Sequence, residues 1–219
     1  MAVLNDEYIR QYRQLHQEGR YGITSVMLRH VVQLCILELS PGTVLDYGCG
    51  QSSLCDELPS CRVLQLFRYD PAIPEISTLP VDKADLVINT DVMEHIPEQD
   101  CGDVLDHLAS ISTRVYFHIS TRPARQILPS GENAHCTVRS DDWWAKKIGN
   151  HFEQSQKVYS DRQQCGIVTW KPAFPELYHV IWDQGLLEKE LARRQLPIHR
   201  KLFRTLRWSL RRVGLSRRR

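Results

Sequence analysis

The seven residues Val44-Leu45-Asp46-Tyr47-Gly48-Cys49-Gly50 constrain this chain more than any other stretch. A short apolar run, Thr43 to Tyr47, stops abruptly at a Gly-Cys-Gly turn. In an open parallel sheet, ligands bind outside the C-terminal ends of the strands. A turn there must let the backbone pass close to the ligand, and glycine allows both that approach and unusual dihedrals. Asp46 precedes the glycines, and a second acid, Asp70, ends the next strand-like run 24 residues later. A nucleotide site grips its ribose hydroxyl pair at that place. The run reads GCGQSS rather than GxGxxG, so the tight turn that holds a pyrophosphate is not made. The pattern therefore points to a nucleoside ligand without phosphates.

The flanking pattern supports a parallel sheet. Strand-like runs at 43–47, 62–69, 84–89 and 114–119 alternate with helical patterns at 51–57 and 99–112. Such alternation implies an α/β fold with helices on both faces of the sheet. Runs 152–159 and 166–170 flank the polar turn 160–164, with no room for a crossover helix, so they form an antiparallel hairpin. Before the sheet, Asn5 to Gly19 and Thr24 or Ser25 to Leu39 read as helices, the first capped by Asn5. Asp141 or Asp142 caps a helix carrying Trp143 and Trp144. Three regions are expected: a helical N-terminal cap at 1–40, a ligand-binding core at 41–170, and a linker with a basic amphipathic helix at 171–219.

At this point the chain resembles the class I S-adenosylmethionine-dependent methyltransferases. VLDYGCG is similar to their first motif, and Asp70 matches their ribose-binding acid. ADLVINTDVMEHIPE resembles the segment at the end of the fourth strand in the branch that methylates small molecules, where an EHIP-like sequence is common. The resemblance covers roughly Tyr21 to Ile119. It implies a Rossmann-like, seven-stranded, mostly parallel sheet with an antiparallel last strand. It implies S-adenosyl-L-methionine as cofactor, with Asp46, Gly48 and Gly50 at its aminoacyl end and Asp70 at its ribose. Leu79 to Asp82 would lie near the adenine, Thr90, Asp91 and Met93 would line the floor, and Tyr21-Gly22 would close over the top.

Transfer of an activated methyl requires alignment of the acceptor and, for some acceptors, a base. Candidates on the strand-end side are Glu94, His95, His118 and His135. His95 has an alternative role in orienting its loop, and His118 in packing the core. His135 lies in the polar loop after the strand at 114–119, where the family builds its acceptor pocket. Arg122, Arg125, Glu132 and Asn133 would offer hydrogen bonds there, with Trp143 or Trp144 as a flat wall. The alternative is a surface loop with inward-packed tryptophans. Such a site suits a hydroxyl-rich small molecule or glycan. No paired metal-ligand spacing occurs, and no metal is expected.

Charge is uneven. Residues 1–170 hold 15 Lys/Arg against 22 Asp/Glu, and residues 171–219 hold 13 against 4. Arg200 to Arg219 contains nine Lys/Arg and no acid, interleaved with Leu202, Phe203, Leu206, Leu210 and Val213. That pattern fits a helix lying on an anionic membrane surface. Nucleic acid is the alternative partner, but an apolar stripe adds little to phosphate binding. The seven cysteines include no CxxC pair, which argues against a disulfide framework or structural zinc and for a reducing cytoplasm. No signal peptide or spanning segment is read. The leading expectation is O-methylation of a sugar or lipid-linked glycan at the cytoplasmic membrane face. An RNA or protein methyltransferase, or a non-catalytic cofactor-binding scaffold, are the alternatives.

Overall fold

The computed structural model describes residues 6–18, 23–58 and 65–193. Asn5, Tyr21-Gly22, Cys61, the start of the run at 62–69 and the basic segment 200–219 lie outside them. Six strands form one sheet: β1 (Thr43–Tyr47), β2 (Gln65–Tyr69), β3 (Leu86–Thr90), β4 (Val115–Ser120), β5 (Gln156–Ser160) and β6 (Gln164–Val168). Their order is β2-β1-β3-β4-β6-β5. The first four strands are parallel, and β6 runs antiparallel to both β4 and β5.

Period-two alternation explains why these runs are strands buried on both sides. Leu45, Val87, Val115 and Phe117 point into one core layer, with Val104, Leu105 and Leu108 of α5 (Cys101–Ile111) and Trp144 and Ile148 of α6 (Asp141–Gly149). Val44, Leu86, Ile88 and Tyr116 point into the other. That layer is closed by Val31, Val32 and Cys35 of α3 (Arg29–Leu39), by Leu54 of α4 (Leu54–Glu57), and by Tyr178 and Trp182 of α7 (Pro175–Arg193). Glu38 on α3 ties the two helices, accepting from the Tyr178 hydroxyl at 2.5 Å and the Trp170 indole at 3.3 Å. The boundaries expected at 40 and 170 therefore do not delimit the core, because α3 and α7 cover one face of the sheet.

Two further expectations are corrected. The sheet has six strands among the described residues, not seven. Between β2 and β3 the chain runs from Asp70 to Asp85 with only a 3-10 turn at Pro74–Ile76. Pro71, Pro74 and Pro80 remove backbone donors there, and the stretch is too short for both a helix and another strand. The cap of α6 is Ser140, whose Oγ accepts from the Trp143 backbone N–H at 3.2 Å. Asp141 instead takes Lys157 and the Ser160 hydroxyl from β5.

The N-terminal helices are placed by polar contacts. The expected second helix divides into α2 (Ile23–Met27) and α3 at Leu28. Ser25 does not cap it; its buried hydroxyl meets Thr90 Oγ1 at 2.8 Å. α1 (Asp6–Glu18) crosses the C-terminal ends of the strands. Gln51 donates to the His16 carbonyl at 2.9 Å, Arg13 to the Ala72 carbonyl at 3.4 Å, and the Tyr12 hydroxyl to the Ala134 carbonyl at 2.7 Å. Among the described residues, no helix is long and apolar enough to cross a membrane.

Candidate active site

The glycine turn after β1 lies in the crook between β2 and β3. Gly48 and Gly50 have φ of +75° and +52°, in the left-handed region that glycine enters without penalty. Gly48 also has no room for a side chain, since a Cβ there would stand 2.6 Å from Val92 Cγ2. The loop that follows β3 thus packs directly on the glycine turn. The Gly48 and Cys49 N–H groups donate to the Tyr69 carbonyl, and the Gly50 N–H donates to Asp70 Oδ2 at 2.8 Å. Asp70 Oδ1 accepts from the Ala72 N–H at 2.8 Å. Asp70 therefore shapes the turn itself, and spare lone pairs remain on its carboxylate for a further donor.

Asp46 differs from Asp70. It is 1% exposed, and neither carboxylate oxygen has a hydrogen-bond partner. Burial pushes its pKa up to about 7, against the pull of Arg68. A buried carboxylate without donors costs stability unless something supplies them. A ligand ammonium is such a donor, so the residues present fit the aminoacyl end of S-adenosylmethionine. Thr90 faces Ser25. Asp91, at φ +55°, opens the turn after β3, and its carboxylate lies 3.6 Å from His118 Nε2. Met93 is wholly buried in the core, so it supports the floor from beneath rather than lining it. Asp82 is exposed in the irregular stretch before β3.

The acceptor side is assembled from three segments. Glu94 is wholly buried; its Oε1 accepts from the Ser120 N–H at 2.9 Å, and its Oε2 has no partner. Burial, and then the Asp91 carboxylate, hold its pKa well above the usual carboxylate range. His95 Nδ1 lies 2.8 Å from the Ala134 carbonyl, and His135 Nδ1 2.6 Å from the Arg122 carbonyl. Each ring therefore donates from Nδ1 and keeps its Nε2 lone pair. Desolvation lowers both pKa values, that of His95 to about 4. The rings meet edge to face with centroids 4.7 Å apart. One donor atom each from Glu94, His95 and His135 lies within 4.8 Å of the others. All three were candidates from the sequence, and the structure brings them together although His135 is 40 residues from His95.

The structure corrects part of the expected acceptor set. Asn133 spends its amide on its own loop, accepting from the Ala124 and His135 N–H groups and donating to the Ala124 carbonyl, all at 2.9–3.0 Å. It is a brace, not a free ligand. Trp144 is wholly buried in the core, so it is not a pocket wall. Trp143 is half-buried and carries the Arg139 guanidinium 5.8 Å above its ring. Arg122 and Arg125 are exposed beside the loop. His118 is a core residue on β4, bonded through Nδ1 to the Tyr159 hydroxyl at 2.9 Å. Tyr12 was not anticipated; its hydroxyl lies 3.1 Å from His95 Nδ1, and its only sequence signal was an apolar position on a helix.

A parallel sheet with a reversed strand pair, a glycine turn against an unpaired acid, and a polar cluster at the strand ends define a Rossmann-like transferase of nucleoside-activated groups. The chain belongs to the methyltransferase-domain family, whose model matches residues 23–216, and it is an S-adenosylmethionine-dependent methyltransferase. No curated protein matches it. Among solved structures it is similar to a possible exported protein from Bordetella parapertussis, at 14% identity over 74% of this chain and 68% of that chain, with a TM-score of 0.50. It is also similar to the 1,6-didemethyltoxoflavin-N1-methyltransferase of Burkholderia thailandensis with bound 1,6-didemethyltoxoflavin and S-adenosylhomocysteine (12%, 74% and 88%, TM-score 0.49). A candidate O-methyltransferase from Nostoc punctiforme matches at 14% identity over 64% of this chain, with a TM-score of 0.44. The chain spans 55% of that protein's length.

Proposed function

We propose that the enzyme O-methylates a hydroxyl-rich small molecule or glycan, and that Glu94, His95 and His135 form the centre that activates the acceptor hydroxyl. The observation that carries this reading is the cluster itself. Two neutral imidazoles and a buried acid stand one turn from the glycine loop, where an acceptor must meet the methyl donor. The bound cofactor supplies a methyl group on a sulfonium; its S–C bond breaks toward sulfur as the acceptor oxygen bonds the carbon. The rest is the work of the chain. Asp46 receives the cofactor ammonium, the Gly48 turn lets the backbone approach it, and Asp70 takes a ribose hydroxyl. Glu94, His95 and His135 together face the acceptor hydroxyl, with the His135 ring held in orientation by the Arg122 carbonyl. Arg122, Arg125 and Trp143 supply polar and flat contacts around it, and α1 acts as a lid spanning both half-sites through Gln51, Ala72 and Ala134.

The arginine-rich segment 200–219 would hold the enzyme on an anionic membrane surface, which makes a lipid-linked glycan the preferred acceptor. Its support is the sequence pattern, nine cations and an apolar stripe without an acid. The test is incubation with methyl-labelled S-adenosylmethionine and a cell extract, separated into lipid, glycan, RNA and protein fractions. Label in lipid or glycan is expected. Label in RNA or protein overturns the acceptor class, and absence of label despite cofactor binding in a complete extract favours a scaffold.

A further inference from the structure

We propose that Glu94, His95 and His135 form a binding site for one divalent first-row cation. The inference rests on the reading of these residues as the acceptor-activating centre and states how they activate.

Three observations carry it. First, ligand atoms from Glu94, His95 and His135 already lie within 4.8 Å of one another, a spacing that a small central shift closes onto an ion. Second, both histidines donate Nδ1–H to main-chain carbonyls, of Ala134 and Arg122. Metal-ligating histidines make this contact with their non-ligating nitrogen, which fixes the tautomer and the ring plane. Tyr12 adds a second contact on the His95 side. Third, Glu94 Oε2 is buried with no hydrogen-bond partner, while its Oε1 is anchored on the Ser120 N–H. A carboxylate fixed through one oxygen, with the other left bare in the interior, is poised for a cation. A buried general acid would instead be expected to donate to an acceptor.

The two segments that carry these residues are joined by hydrogen bonds of their own. The Thr137 N–H donates to the Glu94 carbonyl at 3.0 Å, and the Thr137 hydroxyl to the Ile96 carbonyl at 2.6 Å. The site is therefore preformed. The Asp91 carboxylate, which lies 3.6 Å from His118 Nε2, adds negative charge beside the cluster without belonging to it. Two imidazoles and one carboxylate suit manganese, iron(II), cobalt or zinc better than magnesium or calcium, which prefer oxygen alone.

A cation here has the role of a Lewis acid. It draws electron density from an acceptor hydroxyl, whose proton leaves to water as the oxygen bonds the methyl carbon. Sulfur keeps the S–C pair, and no electron is gained or lost overall. His135 then acts as a ligand rather than as the proton acceptor.

The test uses the full chain, stripped with a chelator and titrated calorimetrically with manganese chloride, zinc chloride and cobalt chloride in turn. One cation per chain is expected, with visible ligand-field bands for cobalt. Glu94→Gln and His135→Gln should each weaken binding about a hundredfold, at the upper limit of the roughly 10–100-fold loss that follows disturbance of an outer partner alone. His135→Gln guards against a folding artefact, since that ring is only half-buried on a loop. S-adenosylmethionine affinity, measured in the same preparations, should stay within threefold of wild type. If no cation binds while the cofactor binds and methylation proceeds in chelator, the metal inference is overturned and the methyltransferase reading stands. If the cation binds and the cofactor does not, the metal site stands and the catalytic reading is overturned.

Discussion

The two halves of the site are built on different terms. On the cofactor side, one strand–turn–strand unit does the work, and the buried acid Asp46 has no hydrogen-bond partner. On the acceptor side, residues from 12 to 139 converge, and most polar groups already hold one another: Tyr12 with Ala134, Thr137 with Ile96, Asn133 with Ala124, Arg139 with Glu98. The first half is an open demand for a ligand. The second is a pre-tightened frame in which only a few atoms, Glu94 Oε2 and the two imidazole Nε2 atoms, remain to be used. Mutations on the cofactor side should therefore act on binding, and mutations at the bare atoms of the acceptor side on turnover.

The largest effect expected from this contrast is at His135. His135→Ala should lower kcat by roughly 100-fold or more, the usual scale for loss of an activating group. Cofactor affinity should change less than threefold in a calorimetric titration. A parallel fall in cofactor affinity would erase the division between the halves. Next is Gly48→Ala. A methyl group there meets Val92 Cγ2 at 2.6 Å on a backbone at φ +75°. The combined clash and left-handed strain should cost about 2–4 kcal/mol in urea denaturation. Adding Val92→Ala should recover part of it, since the clash is relieved and the strain is not. Full recovery would show that strain contributes nothing.

The same contrast explains what was legible in the sequence. The glycine turn, Asp46 and Asp70 lie within one strand–turn–strand unit, so local period and chemistry were enough to place them. The closing hairpin was legible because no helix-length segment separates its strands. The strand count was also legible in the pattern, which has six strand-like runs; the seventh strand was implied only by the resemblance, and three prolines between Asp70 and Asp85 stand where it would lie. The acceptor cluster depends on contacts between residues up to 122 apart, as between Tyr12 and Ala134, which no window along the chain reveals. Asn133 looked like a ligand because it is polar and on a loop; its hydrogen bonds close the loop instead. The tryptophan pair did carry a readable signal. Trp144 and Ile148 are four apart and share the buried face of α6, while Trp143 shares the outer face with Lys147.

Asp46 tests the cofactor side more gently. Asp46→Ala should weaken S-adenosylmethionine binding at least tenfold, or about 1.4 kcal/mol, and leave any residual kcat less affected. The charge also gives a pH signature. With its pKa near 7, Asp46 takes up a proton as the solution is acidified, and the ammonium of the cofactor loses its partner. Cofactor affinity should fall roughly tenfold between pH 7.5 and pH 6, by the linkage of a single group, and Asp46→Asn should flatten that dependence. The ligand-free protein should respond in the opposite sense. A carboxyl raised by burial favours folding most below its unfolded value, near 3.8, and that contribution is lost as pH rises through about 7. Asp46→Asn should therefore raise the Tm of the ligand-free protein at pH 8 while lowering its affinity.

The smallest effect belongs to the frame. Asn133→Ala removes three hydrogen bonds that close residues 124–135, yet it touches neither the glycine turn nor the bare atoms of the cluster. These bonds are half-exposed, so water replaces part of what is lost, and the cost in stability should be about 1 kcal/mol. The loop carries His135, whose backbone N–H is one of the three donors, so loosening it should blur that ring's position. Turnover should drop a few-fold, well short of the His135→Ala loss, with cofactor affinity unchanged. If Asn133→Ala instead raises the acceptor KM more than tenfold at constant kcat, the side chain contacts the acceptor directly, and the acceptor half is more open than its hydrogen bonds imply.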